Sequence, residues 1–192
     1  MDEHVHHADV EKRFLERYVD GSSGSTAALA PHGGTVEPHT DDQALAYAGR
    51  VDCPAWLCQG YVRDGGAFGE WHVTSTEIDP TDYEYLARLY PDGVEVAVSF
   101  HGFRGDGILV GGGIERRHKR ELASRLRASI DSSVEVVSPG NPYAGTDSAN
   151  VVNRVSRRGG IQLEEGVRVR SELGATVVDV VASFVIELVD RP

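Results

Sequence analysis

Short apolar runs alternate with amphipathic stretches along most of this chain, and this alternation limits the folds available to it. The apolar runs predict strands and the amphipathic stretches predict helices. The predicted strands cover residues 26–30, 54–61, 70–74, 94–100, 108–110, 134–137 and 160–164. The predicted helices cover residues 41–48, 81–90, 115–130 and 175–189, and the last of these is rich enough in β-branched residues to be ambiguous. The pattern indicates an α/β fold.

The turns rich in glycine and proline are too short to link two domains. We therefore expect a single domain over residues 1–192, with residues 1–25 as a peripheral N-terminal segment. Its histidines, His4, His6 and His7, could bind metal adventitiously. No apolar run reaches the roughly 20 residues of a membrane helix, and the N-terminus lacks the regions of a signal peptide. These features predict a soluble, cytoplasmic protein without a membrane partner.

The charge balance is acidic, with 30 Asp and Glu against 19 Lys and Arg and a formal net charge of −11. Such a chain is poorly suited to bind duplex DNA by neutralising phosphates. The one dense basic run, residues 116–120, is typical of a solvated helix face but could also steer an anionic substrate. Cys53 and Cys58 lack the spacing of redox or zinc motifs and are predicted to be buried free thiols.

Two histidines and one glutamate follow two of the predicted strands. His32 and Glu37 come after residues 26–30 and are separated by a Gly-Gly pair, which lets the backbone turn sharply. Taken alone, this pair also fits a surface turn before a helix. His101 ends the run 94–100, and parallel strands would bring both strand ends to one crevice. Two histidines and a glutamate form a catalytic zinc set, which predicts one Zn²⁺ per chain.

A metal hydrolase also needs a group that carries protons. Glu164 ends the apolar run 160–164 and is our candidate for the general acid/base. Glu165 would point to the opposite side of a strand, so only one of the pair can enter the site. The alternative is that both are solvated acids.

Three further polar residues are candidates for contact with a substrate. The guanidinium of Arg154 can grip a carboxylate bidentately, with the amide of Asn153 beside it. Without further context, a surface salt bridge is the preferred interpretation of the same pair. His72 fits either a core histidine or a residue that lines the site, with a structural or supporting role.

Several motifs occur in a fixed order along the chain. They are His-Gly-Gly-x-x-Glu (32–37), Trp-His-Val-Thr-Ser-Thr (71–76), Phe-His-Gly (100–102), Val-Gly-Gly (110–112), Asn-Arg (153–154) and Gln-Leu-Glu (162–164). With this set the chain resembles the phage-type poly-γ-glutamate hydrolase family, whose members are also labelled phage-related replication proteins. The resemblance covers roughly residues 30–170. It implies a zinc carboxypeptidase-like fold, with a mixed, mostly parallel sheet flanked by helices.

The resemblance also implies a reaction, the zinc-dependent cleavage of γ-glutamyl amide bonds. By this resemblance His32, Glu37 and His101 would hold zinc, and Glu164 would be the general acid/base. Asn153 and Arg154 would bind a carboxylate of the substrate or polarise its carbonyl.

Two functions of different classes remain. The first is a zinc amidohydrolase that acts on a small or oligomeric γ-glutamyl substrate. The second is a non-catalytic accessory protein that binds nucleic acid or an anionic ligand, suggested by the replication label and the basic run 116–120. The acidity of the chain and the lack of an aromatic, basic stacking surface disfavour the second.

Overall fold

The computed structural model describes residues 11–138 and 143–190, which form a seven-stranded sheet with helices. The strands are β1 (Lys12–Val19), β2 (Thr26–Gly34), β3 (Ala55–Val62), β4 (Val96–Gly102), β5 (Ile108–Gly111), β6 (Val136–Val137) and β7 (Ile161–Glu165). The α-helices are α1 (Thr40–Val51), α2 (Ala67–Trp71), α3 (Arg116–Ser129), α4 (Val151–Arg154) and α5 (Gly174–Val189). Two 3₁₀ turns cover Pro80–Asp82 and Leu86–Leu89, and a π-helical turn, Val169–Leu173, precedes α5.

The sheet is mixed, with strand order β1-β3-β2-β4-β7-β5-β6. Strands β3, β2, β4 and β7 run parallel to one another in the centre. Strand β1 is antiparallel to β3 at one edge, and β5 is antiparallel to β7 near the other. The predicted α/β fold with a mixed, mostly parallel sheet is therefore confirmed, and the carboxyl ends of four strands meet along one side of the molecule.

The central strands are buried on both faces because helices or turns cover each side. Strands β2, β4 and β7 are almost entirely buried, which explains their apolar runs. One face packs on α1, α3 and α5 through residues such as Phe100 and Phe184. The other face packs on α4 and the second 3₁₀ turn through residues such as Trp56 and Leu86. Alternate residues of β2, β3 and β4 therefore face two separate cores.

The prediction of a strand at residues 70–74 is wrong. The chain forms the short helix α2 there and then continues without regular structure to the first 3₁₀ turn. Two glycines with positive φ, Gly65 and Gly66, turn the chain into α2. Trp71 at the end of this helix lies against Phe14 of β1, with ring centroids 5.4 Å apart. This segment therefore contacts the edge of the sheet through an aromatic side chain and does not pair with it as a strand.

The predicted helix over residues 81–90 is also wrong, since only short 3₁₀ turns form. Glu16 of β1 accepts hydrogen bonds from the backbone N–H groups of Tyr85 and Leu86, at 2.8 and 3.0 Å. Strand β1 itself was not predicted, because its side chains are largely polar and partly exposed. Its eight residues pair in register with β3. One unrecognised strand therefore accounts for both the missing sheet edge and the interrupted helix.

Several smaller predictions can be compared directly with the fold. The β-branched run at residues 175–189 is helical, as α5. Cys53 and Cys58 are buried and free, as predicted. The histidines at positions 4, 6 and 7 lie outside the described residues. In residues 11–138 and 143–190, no helix is long and apolar enough to cross a membrane.

Candidate metal centre and active-site cavity

A cavity of about 660 Å³ opens where β2, β4 and β7 end. Along β4, Phe100 faces the core with α1 and α5, so the next residue, His101, faces the opposite side and the cavity. Glu164 of β7 pairs in register with His101 and lines the same cavity. The parallel arrangement of neighbouring strands thus brings their terminal polar residues together.

The turn after β2 positions the first two candidate ligands. Gly34 has a φ of 71°, a left-handed conformation that side chains other than glycine rarely adopt. The backbone N–H of Glu37 donates to the carbonyl of His32 at 2.8 Å and closes the turn. Both side chains are buried, with exposed fractions of 3% for His32 and 6% for Glu37. The spacing of five residues is therefore compatible with one site.

Three side-chain atoms converge at this turn. His32 Nδ1 lies 3.1 Å from Glu37 Oε2 and 3.2 Å from His101 Nδ1. His101 Nδ1 lies 3.8 Å from Glu37 Oε2. Tetrahedral ligands about 2.0 to 2.1 Å from a zinc ion are about 3.3 Å apart, which these separations bracket. The three atoms fit a metal of that size.

The protons of neutral imidazole rings cannot satisfy all three contacts. His32 Nε2 lies 2.8 Å from the carbonyl of Val73, which must accept, so Nε2 carries a proton, and in the neutral ring that metal ligation requires Nδ1 has a lone pair. If His101 Nδ1 carries a proton, it can donate a hydrogen bond to the lone pair of His32 Nδ1. The Glu37 carboxylate then still faces His32 Nδ1 with no proton between them. His101 Nε2 is buried and has no hydrogen-bond partner in the described residues. A cation would resolve this arrangement.

The electrostatics of the site favour a neutral His101 and an ionised Glu37. Burial, with the nearby His32, lowers the pKa of His101 to about 3. Burial opposes ionisation of Glu37, but contacts with His32, His101 and the N–H of Gly102 outweigh it and lower its pKa. Metal ligands must be deprotonated, and both groups are in that state at neutral pH.

His72 provides a second histidine near the same carboxylate. Its Nε2 lies 3.8 Å from Glu37 Oε1, and one ligand atom each of His32, Glu37 and His72 lie within 4.8 Å of one another. The His72 ring stacks on the His32 ring with centroids 4.1 Å apart. Its side chain is 25% exposed, whereas that of His101 is 3% exposed. From the sequence, His72 is predicted only to be a structural residue or to line the site.

Glu164 is held by a chain of amide side chains. Asn150 donates to Gln162 at 2.7 Å, and Gln162 donates to Glu164 Oε1 at 2.8 Å. Burial, aided by the charge of Glu37, raises the pKa of Glu164 to about 8, although the Gln162 hydrogen bond opposes this. Glu165 accepts from Gln43 of α1 at 2.8 Å and does not line the cavity. The two adjacent carboxyl groups therefore lie in different environments, and neither is solvated.

The structure does not bring Asn153 and Arg154 into the cavity. The Asn153 side chain accepts from the N–H groups of Gly113 and Gly160 and donates to two loop carbonyls. Arg154 forms a salt bridge with Asp79 at 3.1 Å and lies over the ring of Tyr90. Neither lines the cavity, because the amides of Asn153 tie loops together and α4 directs Arg154 towards the first 3₁₀ turn. Their predicted role in substrate binding finds no support in this placement.

Gln162, Asn150 and Arg170 are among the cavity residues that were not singled out from the sequence. Gln162 did leave a signal, since it is a polar residue in an apolar run, two positions before Glu164 and so on the same side of the strand. Asn150 and Arg170 left none, because their positions depend on α4 and on the π-helical turn.

The fold is carboxypeptidase-like, and comparisons with known proteins show the family to which the chain belongs. Residues 3–178 match the poly-γ-glutamate hydrolase family, and the chain belongs to that family. It is 32% identical over 148 residues to the SPbeta prophage-derived UPF0714 protein YoqZ of Bacillus subtilis (strain 168). That match covers 76% of this chain and 50% of the relative, so the chain spans about half the relative's length.

Solved structures share the fold. A bacteriophage poly-γ-glutamate hydrolase matches with a TM-score of 0.75 and 23% identity over 91% of this chain and 89% of its own. Zinc-free YNDL matches with a TM-score of 0.71 and 22% identity over 93% and 91%. A metallo-carboxypeptidase from Burkholderia cenocepacia matches with a TM-score of 0.52 and 8% identity over 93% and 66%. The predicted family and the carboxypeptidase-like fold are therefore confirmed.

Proposed function

We propose that this chain is a zinc-dependent amidohydrolase that cleaves γ-glutamyl amide bonds. The observation that carries the proposal is the convergence of His32 Nδ1, Glu37 Oε2 and His101 Nδ1 in the cavity that Glu164 lines. Membership of the poly-γ-glutamate hydrolase family supports the choice of bond. The similarity to a phage poly-γ-glutamate hydrolase supports it as well.

In this proposal His32, Glu37 and His101 hold one zinc ion per chain. We favour His101 over His72 as the third ligand for two reasons. The Nδ1 atoms of His32 and His101 and the Oε2 atom of Glu37 are close to the spacing of tetrahedral ligands, and the His101 side chain is buried. His72, stacked parallel to His32 and nearer to the other carboxylate oxygen, is better placed to hold that ring in position. Zinc in such a site supplies a nucleophilic water at neutral pH and polarises a carbonyl.

Glu164 carries the proton in the proposed reaction. It accepts a proton from the attacking water and delivers it to the leaving nitrogen, which an amide requires before its C–N bond breaks. Gln162 donates a hydrogen bond to the carboxyl group at 2.8 Å, and Asn150 holds Gln162 in place by donating to it at 2.7 Å. The raised pKa of Glu164, about 8, suits a group that must both take and give a proton near neutrality.

Hydrolysis of poly-γ-glutamate tests the proposal. Purified protein is incubated with the polymer and chain length is followed, with poly-α-glutamate as the control of equal charge. We expect γ-linked polymer to shorten, activity to disappear with a chelator and to return with Zn²⁺, and the α-linked polymer to remain intact. Absence of γ-amide cleavage by zinc-loaded protein, for the polymer and for short γ-glutamyl amides, would refute the proposed function.

A further inference from the structure

Arg170 lies at the wall of the cavity beside the end of β4. It belongs to the π-helical turn that follows β7, and its backbone N–H donates to the carbonyl of Gly166 at 3.1 Å. A Cβ atom on Gly102 would lie 1.6 Å from Arg170 Nη1, so the guanidinium packs directly on the backbone of Gly102. Because Gly102 follows His101, the guanidinium borders the candidate metal centre.

Two of the three guanidinium nitrogens of Arg170 lack a hydrogen-bond partner in the part of the chain that the structure describes. Arg170 is 8% exposed, and its Nε and Nη1 atoms are buried without a hydrogen-bond partner in residues 11–138 and 143–190. A guanidinium is charged at all ordinary pH values and carries five N–H donors. Burial of such a group is costly unless an acceptor pairs with it. An anion bound next to Arg170 would therefore stabilise the guanidinium at this position.

No nearby carboxylate accepts a hydrogen bond from Arg170 Nε or Nη1, although one carboxylate oxygen, Glu165 Oε1, is also buried without a partner in the described residues. Glu37, Glu165 and Glu164 all act electrostatically on Arg170. Glu37 nevertheless points its Oε2 at His32 and Gly102, at 3.1 and 2.9 Å. Glu164 accepts from Gln162 and Glu165 accepts from Gln43, both at 2.8 Å. The acceptor that Arg170 lacks can come from a molecule in the cavity.

We propose that Arg170 binds a carboxylate of the substrate near the scissile amide and so restricts the site to amides of acidic amino acids. The inference rests on the proposed function and specifies its substrate class. Every γ-linked glutamate unit carries a free α-carboxylate, which supplies the acceptor oxygens that the guanidinium needs. A planar guanidinium matches a carboxylate in shape and charge.

Binding of two small probes to zinc-loaded protein tests this inference without turnover. L-Glutamate carries both carboxylates, and γ-aminobutyrate is the same molecule without the α-carboxylate. Isothermal titration calorimetry is expected to show that the wild-type protein prefers L-glutamate by at least about tenfold, since a hydrogen-bonded charge pair is involved. Arg170→Gln should abolish the preference and Arg170→Lys should reduce it, with zinc content unchanged.

Arg104→Gln is the matched control, because Arg104 lines the same cavity but is exposed. It should keep most of the wild-type preference. Equal binding of both probes by wild type, or an undiminished preference in Arg170→Gln, would overturn the inference. A lower melting temperature in Arg170→Gln with the preference intact would show that Arg170 only offsets the charge of Glu165, which also overturns it.

The test does not depend on one variant or on catalysis. If Arg170→Gln does not fold, Arg170→Lys keeps the charge and decides the same question, since loss of the guanidinium fork alone should weaken the preference. A zinc-loaded protein that cleaves no γ-amide would refute the proposed function, yet the preference for L-glutamate would still be measurable. The two failures are therefore distinguishable.

Discussion

Two depressions of similar size differ in what their walls offer a ligand. The first is the cavity at the ends of β2, β4 and β7, of about 660 Å³, and the second is a groove between α3 and β6, of about 730 Å³. The groove contains the basic residues Arg116 and Arg120, which are exposed. Its third arginine, Arg127, already donates to the carbonyl of Val136, at 2.6 and 3.0 Å.

The cavity, in contrast, gathers buried polar atoms that have no adequate partners within the described chain. His101 Nε2 and the Nε and Nη1 atoms of Arg170 are all buried there without a hydrogen-bond partner. Buried polar groups are normally paired, so such a concentration of exceptions needs an explanation. The comparison indicates that the functional site is marked by buried polar atoms that converge without hydrogen-bond partners, and not by the volume of a depression.

The largest effect is expected for Glu164→Gln, which removes the acid/base group from the cavity. Hydrolysis of γ-glutamyl amides should fall by a factor of about 10² to 10⁴, the usual contribution of general acid/base catalysis. Zinc content should stay at the wild-type level because Glu164 is not a proposed ligand. Steady-state kinetics and elemental analysis of one preparation measure both, and undiminished turnover would remove Glu164 from this role.

Glu165 provides a pH-dependent effect on stability, from the opposite side of the same strand. Burial raises its pKa to about 7 from an ordinary value near 4.5. Between these values folded Glu165 binds more protons than it does in the unfolded chain, so its contribution to stability is greatest below pH 4.5 and is lost as pH rises through 7. The loss should reach as much as about 3 kcal/mol.

Chemical denaturation of metal-free protein between pH 4.5 and 7 measures this loss. Glu165→Gln, which cannot ionise, should show a shallower slope than wild type over that range. Identical slopes in the two proteins would contradict the assigned environment of Glu165.

A smaller effect is expected for Gln162→Met, which removes the donor to Glu164 but keeps a side chain of similar length. Turnover should fall by about tenfold, because a hydrogen bond to a charged group contributes about 1.5 to 3 kcal/mol. The Gln162 hydrogen bond favours the carboxylate, so its loss should raise the pKa of Glu164. The acidic limb of the pH profile of kcat/KM should therefore move to higher pH, which a purely structural role would not cause.

The smallest effect is expected in the groove. Arg120→Gln changes an exposed side chain, so the free energy of unfolding should change by less than about 0.5 kcal/mol. Turnover of short γ-glutamyl amides should be unchanged. If cleavage of long polymer depended strongly on Arg120 at low salt, the groove would be a second binding surface and the contrast between the two depressions would fail.

The convergence of the site's polar residues in one cavity was largely predictable because they lie at or just beyond the ends of buried parallel strands. Strands β2, β4 and β7 are almost entirely buried, and their apolar residues make the strand ends visible in the sequence. The polar residues that follow must then meet at one edge of the sheet. For this reason His32, Glu37, His101 and Glu164 could be nominated together before their geometry was known.

The remaining features depend on tertiary contacts that leave no local pattern. Strand β1 is a mixed polar edge strand, stabilised by pairing with β3 and by the hydrogen bond from Trp56 to Glu16. Arg154 looked like a substrate ligand, but its direction depends on α4 and its salt bridge with Asp79. Arg170 became visible only through its packing on Gly102. Periodicity cannot predict such contacts between distant segments.

The zinc content of the purified, untagged protein tests the central claim most directly. Elemental mass spectrometry is applied to wild type, His101→Ala and His72→Ala, all of which keep His4, His6 and His7. We predict about one zinc per chain in wild type and His72→Ala and a loss of that zinc in His101→Ala, because catalytic sites use three protein ligands. A wild-type protein that binds no zinc, or zinc retained by His101→Ala and lost from His72→Ala, would contradict the proposed centre.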